Sequence, residues 1–178
     1  PVIAGHGSAL DSTELERAQN LFTHLLHECP NDSLFQLWSL AHLCENMWLM
    51  GEARFLHERV VAISTSYPGP DSRWAIRSLV TLGEMPSKQV GMPNVTNQSA
   101  LQDSAVTLAE RALGLARAQY GSTDTMFAFV ADRLGDYYSR LGRRAAAYAL
   151  WDSAWVANRL HLPPEHIELQ GNLDRMAN

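Results

Sequence analysis

The stretch ADRLGDYYSRLGRRAAAYALWDSA, residues 131–154, holds the pattern that decides the fold. Apolar side chains recur at three- and four-residue steps on both sides of Leu141-Gly142, so it reads as two helices joined at a glycine. Each half carries a small residue in a recognisable setting: Leu134-Gly135 in the first, Asp152-Ser153-Ala154 in the second.

Both settings repeat along the chain. Leu40-Ala41, Leu82-Gly83, Leu134-Gly135 and Met176-Ala177 form one ladder, with steps of 42, 52 and 42 residues. Glu16-Arg17-Ala18, Glu58-Arg59-Val60, Glu110-Arg111-Ala112 and Asp152-Ser153-Ala154 form a second ladder with the same three steps. The shared irregular step places 10 inserted residues between Gly83 and Glu110, where the Pro-, Gly- and polar-rich stretch 85–98 reads as a loop. Alanine or glycine lets the helices of a hairpin approach closely, and a hairpin that cannot bury both faces stacks on the next.

Helices are expected at about 12–28, 33–49, 51–66, 72–84, 99–119, 124–140, 143–160 and 165–177. Prolines and glycines punctuate them, notably Pro68-Gly69-Pro70, Gly121 and Pro163-Pro164. The expected fold is all-α, a right-handed superhelical solenoid of antiparallel helix pairs. It forms one domain over 11–178, after a flexible segment 1–10 and with the insertion at 85–98.

Composition narrows the function. The 178 residues carry 14 basic against 19 acidic side chains, a formal −5, which argues against a nucleic-acid footprint. No apolar run approaches the ~18 residues of a membrane span. Two cysteines, Cys29 and Cys44, make no disulfide framework and fit a reducing, cytoplasmic setting or a pair of buried thiols. The chain opens on Pro1 rather than Met and reads as part of a longer protein or as a processed one. A solenoid cut at its ends exposes an apolar face, which fits a homodimer or packing on further domains of the same chain.

The run Leu134-Gly135…Tyr138…Leu141-Gly142…Ala147…Trp151…Ala154 resembles the tetratricopeptide repeat, with Trp151 where Phe is usual. The 42-residue spacing, the Glu-Arg-Ala-Leu-x-Leu run from Glu110 and the trailing Tyr120-Gly121 are similar to the kinesin-light-chain type. The resemblance implies a protein-binding scaffold without chemistry of its own, whose first helix in each pair lines a concave face.

On that face, helical spacing from the small residues selects Trp38, His42 and Glu45, then Val80, Glu84 and Ser87. It continues with Asp132, Asp136, Ser139 and neighbouring Arg140, and ends with Asp174 and Asn178. Acids outnumber bases here, unlike the basic groove with which light chains take acidic, tryptophan-containing peptides. The expected partner is therefore a basic or amphipathic peptide or protein surface anchored near Trp38, the plainer alternative being solvated acids in i,i+4 pairs such as Asp136–Arg140. The stretch 85–98 is a second candidate contact. Its patterns Asn94-Val95-Thr96 and Asn97-Gln98-Ser99 matter as glycosylation acceptors only in a secreted protein.

Chemistry finds little support in the sequence. His24, His27 and Cys29 place two ligands at most on one helical face and read as structural. His42 and Cys44 point apart on a helix and make no dyad. Phosphate-loop, zinc-cysteine and nucleophile-elbow patterns do not occur, so no catalytic residue, cofactor or metal is expected. The leading expectation is a non-enzymatic interaction scaffold. The alternative is a regulatory or ligand-sensing helical domain of a larger enzyme or transcription regulator.

Overall fold

The computed structural model describes residues 30–66, 73–88 and 98–177. They form seven helices: α1 Pro30–Asn46, α2 Met50–Ser66, α3 Arg73–Lys88, α4 Gln98–Tyr120, α5 Thr125–Arg140, α6 Arg144–His161 and α7 Ile167–Ala177. No strand occurs among the described residues. The expected helix at 12–28, with His24, His27 and Cys29, lies outside them, as do 89–97 and Asn178.

The ladders set the register. Each odd-numbered helix begins ten residues before its small residue, eleven in α1, and α1, α3 and α5 each end five after it. The insertion divides between two places. Helix α4 has 23 residues against 17 in α2 and 18 in α6, and four of the extra residues lengthen its start. The other six of the ten widen the α3–α4 connection. The expected loop start at residue 85 is corrected, because Met85 lies one turn beyond Leu82 on the buried face and α3 runs on to Lys88.

Close packing explains the small residues. A Cβ on Gly135 would lie 2.5 Å from Nε1 of Trp151, and one on Gly83 would meet the Ala105 carbonyl at 3.3 Å. Ala41, Val60, Ala112 and Ala154 are likewise buried. Ala177, at the end of the described helices, is exposed instead. The acid of the second ladder also joins neighbouring helices, since the Tyr138 hydroxyl on α5 donates to Glu110 of α4 at 2.6 Å.

Two turns share one geometry. After α5, Gly142 sits at φ +74, its N–H donating to the Ser139 carbonyl at 2.9 Å while that of Arg143 reaches Tyr138 at 2.8 Å. After α1, Trp48 takes the equivalent place at φ +61. Its N–H reaches the Glu45 carbonyl at 3.0 Å, and the Leu49 N–H reaches Cys44 at 2.9 Å. Both are left-handed helix caps, a conformation easy for glycine and strained for tryptophan.

Every helix packs on the next in sequence. Beyond that, α1 touches α3 and α3 touches α5, a closeness that α2, α4 and α6 do not match among themselves. Helices that reach their second neighbours lie on the inside of a curve. The odd-numbered helices therefore form the inner layer, over a core continuous from Cys44 on α1 to Ala157 on α6.

Candidate functional site

The inner layer carries an aromatic cluster at its N-terminal end. Trp38 of α1 stacks on His42, with ring centroids 5.0 Å apart at 16°, and leans on Trp74 of α3 at 4.9 Å. Phe35, half exposed, lies 5.0 Å from Trp74. The Arg77 guanidinium is 5.9 Å from Trp38 and 5.4 Å from Phe129 of α5, and Arg133 covers Phe129 again at 5.8 Å. Arg77 forms no ion pair among the described residues. A strip of alternating rings and guanidinium groups thus crosses α1, α3 and α5, through contacts favourable in both stacking and charge.

The expected face residues divide by angle. His42, one position after its small residue, is exposed, and Glu84 and Asp136 at the same offset are half-buried. Trp38 and Asp132, three positions before, are half-buried, but Val80 at that offset is core. Glu45 also lies inside at 8% exposure. Four residues advance a helix by about 400°, leaving Glu45 only some 40° from buried Ala41. Ser139, Arg140 and Asp174 are exposed, and the side chains of Ser87 and Asn178 lie outside the description.

The acids of this face are matched by arginines from other helices. Arg133 approaches Glu84 at 3.5 Å, and Arg175 of α7 meets both Asp132 and Asp136 at 3.1 Å. Asn172 donates to Asp132 at 2.7 Å and accepts from Asn158 at 3.2 Å, so α5, α6 and α7 are tied through one polar chain. Burial pushes the Asp132 carboxyl above its ordinary value, against the pull of Arg175. Asp136 is paired with Arg175, not with Arg140 in an i,i+4 arrangement. Arg140 instead borders an open cavity of about 540 Å3 between α5, α6 and α7, with Arg144, Tyr148 and Trp151.

A second constellation lies beneath the aromatic cluster. His57 of α2 is fully buried, with Nε2 2.8 Å from Glu45 on α1 and Nδ1 3.0 Å from the Ser78 hydroxyl on α3. In the neutral ring a proton on Nε2 serves the carboxylate, and Nδ1 accepts from Ser78. Glu45 is also 3.6 Å from Nδ1 of His42. The residue types match a hydrolytic triad, but Ser78 is fully buried, so no substrate carbonyl can reach its oxygen. Burial, aided by Glu52, raises the Cys44 thiol above its ordinary value and so disfavours the thiolate.

Sequence reasoning passed over His57, although the second ladder held a signal. The position before its acid is His57, Ala109 and Trp151 in successive copies, all buried in the structure. A polar ring at a position otherwise Ala and Trp needs partners.

The stacked hairpins, small-residue contacts and inner layer define a tetratricopeptide-like helical repeat. No family model and no curated protein sequence matches the chain. Among solved structures it is similar to BtubC (BKLC) from P. vanneervenii, a kinesin-light-chain-like protein, with a TM-score of 0.70. The match covers 92% of this chain and 67% of that one at 13% identity, so the likeness is one of fold. Among the described residues, no helix is long and apolar enough to cross a membrane.

Proposed function

We propose that the inner layer is a groove for an extended, amphipathic segment of a partner protein, in a scaffold without catalysis of its own. The observation that carries this reading is the strip of Trp38, Phe35, Trp74, Arg77 and Phe129 along the inside of the curve. An apolar side chain of the partner packs on the rings, and Arg77 receives a carboxylate or backbone carbonyl. The pairing of Glu84, Asp132 and Asp136 with Arg133 and Arg175 offsets their charge, so attraction for a purely basic peptide is weak and the amphipathic option is favoured.

The test is to select peptides on the intact chain from a random library and measure their affinities by fluorescence anisotropy. Trp38→Ala and Arg77→Ala should each weaken binding at least ~10-fold, the scale of an interface hot spot. Val156→Ala, an exposed site on α6, should leave it unchanged. Peptides indifferent to Trp38 and Arg77 would overturn the groove.

The cavity bordered by Arg140, Arg144 and Trp151 supports a second reading, a ligand-sensing domain. Its volume of about 540 Å3 falls within the range of small-molecule sites.

A further inference from the structure

We propose that His42, Glu45 and His57 bind one divalent transition-metal ion of the zinc class, which clasps α1 to α2. The imidazole Nδ1 of His42, the carboxylate of Glu45 and Nε2 of His57 all lie within 4.8 Å of one another. Two imidazoles and one carboxylate, with water in the fourth position, form a recurrent zinc donor set. Histidine and glutamate at i and i+3 project from one face of α1, and the facing helix supplies the third ligand.

The distances suit such an ion. Bonds of about 2.1 Å to a tetrahedral centre put ligand atoms roughly 3.4 Å apart. His42 and Glu45 are already 3.6 Å apart, while the 2.8 Å contact between His57 and Glu45 must open slightly. That opening is a shift of a few tenths of an ångström between His57 and Glu45, and His42, whose side chain is 50% exposed, supplies the entry route.

The surrounding groups prepare the ligands. The Ser78 hydroxyl, 3.0 Å from Nδ1 of His57, donates while Nε2 keeps its proton. Once the ion takes Nε2, the proton sits on Nδ1 and the same hydroxyl turns to accept it, as outer-shell partners of metal-bound histidines do. Trp38, stacked on His42 at 16°, holds that ring over the site. A plain buried hydrogen bond between His57 and Glu45 needs neither His42 nor its stacking partner.

The full-length chain without a histidine tag is titrated with Zn2+ by calorimetry and with Co2+ by visible absorption. The wild type should bind an ion with the ligand-field bands of four-coordinate cobalt and melt at a higher temperature with Zn2+. His42→Ala, at an exposed site that should leave the fold intact, and Glu45→Gln should each weaken binding at least 10-fold and abolish the thermal shift. His24, His27 and Cys29 are present in every variant, so their contribution cancels. The proposal fails if the wild type binds no ion at micromolar free Zn2+. It fails equally if His42→Ala, with an unchanged circular dichroism spectrum, binds as tightly as the wild type.

Discussion

The hairpins α1–α2 and α5–α6 occupy corresponding places in the repeat and solve the same packing problem by opposite means. At α5–α6 the helices close dry, with the Trp151 ring filling the space that Gly135 leaves. At α1–α2 the position of Trp151 is held by His57, and contact is made through hydrogen bonds to Glu45 and onward to Ser78 of α3. The turns differ too, with Gly142 after α5 and Trp48 after α1. One backbone register therefore accepts either an apolar plug or a polar relay, and only the relay places titratable groups beneath the groove.

The largest test of this contrast is His57→Ala, measured by urea unfolding with a chelator present. Losing the fully buried ring deprives Glu45 and Ser78 of a hydrogen-bond partner and leaves a cavity, at a cost of about 2–5 kcal/mol. The double variant Glu45→Leu/His57→Leu, which makes this hairpin apolar like α5–α6, should recover most of that loss. A double variant no better than the single one would show that the relay has no dry substitute. Gly135→Ala comes next: its methyl meets the Trp151 ring, and overpacking costs about 1–3 kcal/mol. Combining it with Trp151→Leu should cost less than the sum of the two single changes, read as coupling in a double-mutant cycle. The smallest effect is a gain. Trp48→Gly relieves a left-handed tryptophan, and after the entropy cost of glycine should raise the urea midpoint by the equivalent of about 0.5–1 kcal/mol.

The fold was legible because it is written locally and repeatedly. Two ladders sharing an irregular step fixed the hairpins and their register, and a side chain would clash at Gly135 and be crowded at Gly83. The site was only partly legible. Trp38 and the Asp132–Asp136 pair were found by angular position, but their neighbours could not be. Arg175 reaches Asp132 from 43 residues away in sequence, and Trp74 and Arg77 come to Trp38 from another helix. Periodicity reports which side of a helix faces inward, not what another helix presents there. Glu45 was misplaced for a narrower reason, since a charge near the edge of a buried stripe faces inward when another helix offers it a donor. That donor, His57, stood where the other copies carry Ala109 and Trp151.

Trp48 has a practical consequence. At 69% exposed it is the most solvent-facing of the five tryptophans, on the turn that joins the two helices bearing His42, Glu45 and His57. Its indole emission, isolated as the difference between wild type and Trp48→Phe, offers a built-in optical probe of that turn. A shift on adding a peptide or an ion would reveal rearrangement there without any attached label.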